Sequence, residues 1–415
     1  MKRLGRCGLT FGCLLVLSVA GCGGTGGGEG PGAISHGPWV GHLASDAAFV
    51  WVRGTGEGSG TAVLSPAVAA DAAVGDRRSS RAVRLERERD GCAVVRFEGL
   101  AAATDYVCEV RYGDGGPRTV AFRTPAAPEA AQRVRLAVGS CARETPGVWN
   151  PVFPAIAARK PDALLLIGDT PYIDSVKLGV QRRRYAEFFS DPGLAALRSG
   201  TATYAVWDDH DFGLNDSDGS LDGKKDARRA FDEWHANASV GLDDDGVCSS
   251  FRRGPVEVFL IDARWWSRKP KDKDDPEDGK LLGKRQRAWL EAGLVASTAP
   301  FKLLVTGMVW NDSVRAGKTD YWGGYPHERA ELFRFLARRG VTGVVLVSGD
   351  VHRSRAFRNP PEATGVPYPL YEFVSSPLGP NVHANAEVGG PHLVFDRGEP
   401  HAFLEIEAES FGNGR

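Results

Sequence analysis

Four aliphatic runs each end on a turn that carries chemically capable side chains, and this recurrence limits the fold more than any other feature of the chain. Residues 133–138 lead into Gly139-Ser140-Cys141, and 163–167 into Gly168-Asp169-Thr170-Pro171-Tyr172. Residues 203–206 lead into Trp207-Asp208-Asp209-His210-Asp211-Phe212-Gly213-Leu214-Asn215-Asp216, and 343–347 into Ser348-Gly349-Asp350-Val351-His352. Helical periodicity falls at 152–158, 182–189, 227–236, 284–294 and 327–339. Such βα alternation predicts a layered α/β domain whose helices cover a mostly buried sheet. Open α/β sheets bind ligands beyond the carboxyl ends of their strands, so Cys, Asp, Tyr, Asn and His are expected on one rim.

Carboxylates gathered on one sheet edge repel one another and lose hydration unless cations neutralise them. These residue types are oxygen and imidazole donors, with one thiolate and one phenolate candidate, which makes bound metal the economical answer. Two or more ions a few ångströms apart clamp a phosphate and lower the pKa of bound water, so phosphoester hydrolysis is the expected chemistry.

The four motifs, in this order and spacing, resemble the alkaline phosphatase D (PhoD-like) branch of the calcineurin-like metallophosphoesterases, and the Trp-Asp-Asp-His block is the most specific of them. The resemblance implies a four-layer α-β-β-α catalytic core and a phosphomonoesterase or phosphodiesterase using iron(III) and calcium. It implies Cys141, Asp169 and Tyr172 as ferric ligands, with Asp169 also facing a second metal. Asp209, Asn215, Asp350 and His352 complete the implied set. Thiolate and phenolate suit iron(III), and carboxylate and amide oxygens suit calcium.

His210 directly follows a ligand candidate, where related enzymes keep a histidine that contacts phosphate or protonates the leaving group. Asp208 and Asp211 are expected to orient the loop. Asp262 with Arg264 either orients a ligand and brings a guanidinium near phosphate, or only closes the sheet edge. Asn311, after a strand at 303–310, is a candidate substrate contact, and Asp174 is either a further acidic ligand or a solvated residue. Three rivals stand beside the leading scheme: a serine nucleophile at Ser140 or Ser348, a phospholipid head group as substrate, and a catalytically retired surface-binding protein.

Residues 34–125 follow another grammar: short β-rich runs at 48–52, 93–97 and 106–110, separated by Gly and Asp turns, predict an all-β sandwich. Phe97-Glu98-Gly99-Leu100 followed by Thr104-Asp105-Tyr106 resembles the corner of fibronectin type III domains, in which the tyrosine hydroxyl pins the turn before a core strand. A Pro/Ala linker at 125–131 precedes the catalytic domain, expected over 133–408. The charged run 269–278 reads as a solvated loop or a lid.

Upstream, Lys2, Arg3 and Arg6 precede an apolar stretch at 9–20 that is too short to span a bilayer. Residues 1–21 therefore read as a signal peptide, and Val19-Ala20-Gly21-Cys22 resembles a bacterial lipobox, with Cys22 lipidated and the Gly-rich 22–33 as a tether. That predicts an exported protein anchored to the membrane at the cell envelope. Export permits disulfides, and Cys92 with Cys108 is a candidate pair. Charges balance at a net −1, without the basic excess of a nucleic-acid binder. A monomer acting on a phosphate ester is expected.

Overall fold

The computed structural model describes residues 32–67, 79–145, 147–270 and 279–411. The signal segment, Cys22, the tether up to residue 31 and positions 271–278 of the charged run lie outside them.

Seven strands open the fold: β1 (Ile34–Leu43), β2 (Ala47–Gly54), β3 (Gly58–Pro66), β4 (Ser79–Leu85), β5 (Cys92–Glu98), β6 (Asp105–Tyr112) and β7 (Arg118–Arg123). They form two antiparallel sheets, β1-β2-β5 and β4-β3-β6-β7. Along β6 burial alternates, with Tyr106, Cys108, Val110 and Tyr112 inside, as a strand with one wet face requires. In β2 it does not alternate. Ala48, Phe49, Val50, Trp51 and Val52 are all buried, because the second face of that sheet lies against the α/β body. Trp39 stacks on Trp51 with centroids 4.7 Å apart, and the Trp51 indole N–H donates to the Glu233 carbonyl at 2.8 Å. The Tyr106 hydroxyl accepts from the Ala101 N–H at 3.0 Å, closing the turn before β6. Cys92 and Cys108 are buried, one in each sheet, and both are free thiols.

The body contains β8 (Gln132–Gly139), β9 (Ala163–Ile167), β10 (Ala202–Val206), β11 (Ser249–Arg253), β12 (Val256–Leu260), β13 (Phe301–Val305), β14 (Val344–Ser348), β15 (Ser354–Asn359), β16 (Leu370–Val374), β17 (Leu393–Arg397) and β18 (Leu404–Ser410). One sheet runs β10-β9-β8-β18 and the other β11-β12-β13-β14-β16-β15-β17. Strand periodicity shows how they stack. Val258, Leu260, Leu303, Val305 and Val347 point into the core shared with β8 to β10. Their neighbours Phe259, Ile261, Leu304 and Leu346 point into a second core. Strands β12, β13 and β14 thus bury both faces, which explains their unbroken apolar runs.

Helices α1 (Val152–Ala158), α2 (Leu178–Phe189), α3 (Pro192–Arg198), α4 (Asp209–Phe212) and α5 (Lys224–Trp234) belong to the side of the smaller sheet. Helices α6 (Gly283–Ala296) and α7 (Pro326–Arg339) fill the second core. In α6 the buried residues are Gln286, Leu290 and Leu294, a stripe at i, i+4, i+8. α7 begins with proline in its first turn and stops at Gly340 in the left-handed region, the expected start and stop signals.

One expectation is corrected. The strand expected at 303–310 leaves its ladder after Val305, and further on the Trp310 N–H is taken by the Glu372 carboxylate at 2.9 Å instead of by a neighbouring strand. The final strand β18 returns to pair antiparallel with β8, Leu404 opposite Val138.

Burial, reinforced by Arg253 for His42 and by Arg198 for His235, lowers these imidazoles to about 4 and about 3. Both stay neutral in the folded chain, while in the unfolded chain they protonate below about pH 6.5. Their contribution is present above that pH and is lost as pH falls toward 4. Between about pH 7.5 and 5.0 each removes on the order of 2 kcal/mol. In urea titrations the double variant His42→Gln, His235→Gln is expected to lose clearly less stability over this range than the wild type. Equal losses contradict the assignment.

Candidate metal centre

The first sheet presents three strand ends and the second sheet a fourth. β8 delivers Cys141, β9 delivers Asp169, β10 leads into α4 with Asp209 and His210, and β14 delivers Asp350 and His352. The two rims are tied together. The Ser140 hydroxyl donates to the Ser375 carbonyl at 2.9 Å, and the Ser375 hydroxyl donates to the Val138 carbonyl at 2.7 Å. The strand-end turns are sharp, and Cys141, Asp169, Asp350 and His352 all have positive φ, between 53° and 69°. Non-glycine residues adopt that region at a cost, and such strain gathers where side-chain direction matters. Gly168, at φ 105°, has no substitute: a Cβ there would lie 2.5 Å from that of Asp208.

Three groups of ligand atoms lie within 4.8 Å of one another: Cys141 with Asp169 and His352, Asp169 with Asp209 and His210, and Asp209 with Asp216 and Asp320. Asp169 and Asp209 each belong to two groups, so the three form one continuous row. The Cys141 sulfur is 3.5 Å from Asp169 Oδ2. The Tyr172 oxygen lies 2.7 Å from Nε2 of His352, whose Nδ1 is 2.7 Å from the Asn381 carbonyl. A carbonyl can only accept, so Nδ1 carries the proton and Nε2 presents its lone pair to the site. Asn215, His210, Asp350, Arg315, Lys318 and His383 line the same cavity of about 70 Å³.

The model of the PhoD-like phosphatases matches residues 136–392, which include Cys141, Asp169, Asp209 and His352. The chain belongs to the PhoD-like phosphatase family. Alkaline phosphatase D of Bacillus subtilis (strain 168) is 26% identical over 205 residues, 42% of this chain and 35% of that protein, so the match spans about a third of the curated relative. A solved structure of PhoD superposes with a TM-score of 0.74 at 20% identity, covering 89% of this chain and 83% of the other. Purple acid phosphatase PPD1 from yellow lupin (Lupinus luteus) seeds gives 0.65 at 12% identity over 89% and 69%. These two likenesses are of fold.

In this PhoD-like site negative charge is concentrated beyond what the protein neutralises. Asp169, Asp208, Asp209, Asp211 and Asp320 are buried, with Asp350 beside them. The cations among them are Arg264, 2.5 Å from Asp208 and 2.8 Å from Asp320, and Lys318, 2.7 Å from Asp350. Burial, with Cys141 and Asp209 adding repulsion, holds the Asp169 carboxyl well above its ordinary value. Burial likewise raises the Cys141 thiol to about 11 and lifts the Tyr172 phenol. Asp209 alone is lowered: Arg264, His210 and the Asp216 N–H outweigh its burial. One oxygen of Asp208 and one of Asp320 have no partner among the described residues. A buried carboxyl at Asp169, a thiol and a phenol raised toward protonation, with uncommitted oxygens beside them, fit metal cations taking the place of protons.

The supporting residues differ in part from expectation. Asp211 accepts the Asp208 N–H at 2.6 Å and the Thr170 N–H at 3.4 Å. Asp262 does not pair with the guanidinium of Arg264. It accepts the Trp207 indole at 2.8 Å and the N–H groups of Val247, Arg264 and Trp265. Arg264 reaches Asp208 instead. Asn311 stands outside the metal cavity and donates to Asn359 at 2.9 Å, in a separate cleft, so its reading as a substrate contact is corrected. Asp174 lies 2.5 Å from His210 Nδ1. Ser140 and Ser348 are fully buried and hydrogen-bonded, Ser348 to Glu372 at 2.7 Å, so neither is presented as a nucleophile. Sequence reasoning missed Asp216, Lys318, Asp320 and His383. Asp216 closed a motif already in view; the others lie in loops without periodicity.

Arg264→Met leaves Asp208 and Asp320 facing each other without a cation, a change that costs about 3 to 5 kcal/mol for a broken buried pair. Chemical denaturation of the variant should show this loss, and adding Asp208→Asn should recover part of it. A loss below about 1 kcal/mol contradicts the role given to the guanidinium.

Proposed function

We propose that the chain is a metal-dependent phosphoric ester hydrolase, and the observation that supports this most is the unbroken row of ligand groups from Cys141 and His352 through Asp169 and Asp209 to Asp320. Cys141, Asp169, Tyr172 and His352 would hold an iron(III) ion, whose high charge the anionic thiolate and phenolate stabilise by electron donation once deprotonated. Asp169 would also face a second site made by Asp209 and Asn215, whose oxygen donors suit calcium, and Asp350 would complete the set. Bound there, the ions supply Lewis acidity and a water that ionises near neutral pH. His210 lines the cavity, and with Nδ1 held by Asp174 it keeps Nε2 available to contact the phosphate or pass a proton to the leaving oxygen. Asp208, Asp211 and Arg264 fix the loop that carries Asp209 and His210.

The domain reading is part of this proposal: a signal peptide over 1–21, a lipidated Cys22, a tether to residue 33, a fibronectin type III-like module over 34–125 and the catalytic domain over 133–408. The three-plus-four strand arrangement and the Tyr106 corner support the module. The protein then works as an exported monomer at the cell envelope on phosphate esters diffusing past its anchor.

Purified protein should hydrolyse p-nitrophenyl phosphate, bis-p-nitrophenyl phosphate or both. Cys141→Ala and Asp169→Asn should each lower kcat/KM by more than the ~100-fold that losing an outer partner of a metal ligand can cost, with unchanged circular dichroism. Wild-type turnover in either variant contradicts the assignment.

A further inference from the structure

Lys318 is a lysine in an unusual place. Its side chain is 7% exposed and it lines the cavity beside Asp169, Asp209 and His210. Lysines are almost never buried without a partner, and here the partner is Asp350 Oδ2, 2.7 Å from Nζ. An ammonium carries three donors, and no other hydrogen bond or ion pair of Nζ occurs among the described residues.

The segment that carries it is clamped at both ends. Asp312 pairs with Arg329 at 2.8 Å, and Asp320 with Arg264 at 2.8 Å. Between them the Lys318 N–H closes a turn onto the Arg315 carbonyl at 3.1 Å, through Gly317 at φ 79°. The Arg355 guanidinium holds the Ser313 carbonyl at 3.2 Å. The ammonium is thus built in place from two ion pairs, a turn and a carboxylate. Arg315 lines the same cavity, is exposed, and has no ion pair among the described residues.

A cavity walled by Asp169, Asp209, Asp216 and Asp350 repels an anion, yet the proposed substrate is one. We infer that Lys318, held by Asp350, binds the phosphoryl oxygens of the substrate in this cavity, with Arg315 as the outer cation of the same anion site. This rests on the phosphoric ester hydrolase reading and adds a substrate contact to it. Asp350 then positions the lysine through Oδ2, and a doubly charged monoester gains more from the ammonium than a singly charged diester.

The test uses the metal-loaded full chain and reads inorganic phosphate binding by calorimetry, kcat/KM on the two p-nitrophenyl esters, and metal content. Lys318→Met should weaken phosphate binding by about 10- to 100-fold, the range for one lost charge-assisted hydrogen bond. It should lower kcat/KM for the monoester more than for the diester and keep the wild-type metal content. Lys318→Arg should restore most of the phosphate affinity. Lys318→Met leaves Asp350 unpaired, so Lys318→Gln, whose amide N–H groups still face that carboxylate without the positive charge, provides a second test of phosphate affinity. Phosphate affinity within about 2-fold of wild type in both variants overturns the inference. So does metal lost from Lys318→Met in step with activity, which makes the lysine only a support for the centre. A wild-type holoenzyme that hydrolyses neither ester and binds no phosphate overturns the hydrolase reading itself, an outcome distinct from a failure of Lys318 alone.

Discussion

Mutual repulsion among buried carboxylates is the constraint around which the rest of this molecule is arranged. Asp169, Asp208, Asp209, Asp211 and Asp320 meet where the two sheets of the body converge, and one guanidinium and one ammonium are set among them. Arg264 stands between Asp208 and Asp320, each of which is buried and keeps an oxygen without a partner among the described residues. Asp211 and Asp262 are acids of another kind: backbone N–H groups, and for Asp262 an indole, surround them and hold the loops. The carboxylates left over are those that face the cavity. A site of this sort stores repulsion in the free chain and releases it on taking up cations, which couples metal affinity to stability.

The strained turns serve the same end. Three strand ends place Cys141, Asp169, Asp350 and His352 in the left-handed region, turning their side chains toward a common point instead of along the sheet. The central strands behind them are apolar on both faces and provide the rigidity that such turns need. The N-terminal sandwich adds to that rigidity through Trp39, Trp51, Phe189 and Trp234, which close the seam between it and α2 and α5. Arg198 is buried in the same seam, its guanidinium 4.0 Å from the Trp39 ring and 3.9 Å from the Phe189 ring.

What the sequence discloses follows from how local each signal is. A strand and the turn after it occupy neighbouring positions, so Ala163–Ile167 and its Gly168-Asp169 turn are legible residue for residue, as is the helix Val152–Ala158. Partners chosen in three dimensions are not. Asp262 sits two residues from Arg264 and is the obvious partner on paper, yet its carboxylate is already occupied by N–H donors, and the guanidinium joins Asp208 across 56 positions. Asn311 reads as a rim residue only if its strand continues to 310. The chain leaves the sheet at Val305, and the side chain ends in another cleft. Lys318 and Asp320 lie in a segment with no hydrophobic period, and they enter the site because ion pairs at Asp312 and Asp320 fold that segment back.

All of this depends on cations other than Arg264 and Lys318 balancing the centre. Element-resolved mass spectrometry of the purified, extensively dialysed chain, paired with native mass measurement, counts them directly. More than one tightly held metal ion per folded molecule is the predicted result. A folded, metal-free chain that takes up none when iron and calcium salts are added would contradict the account.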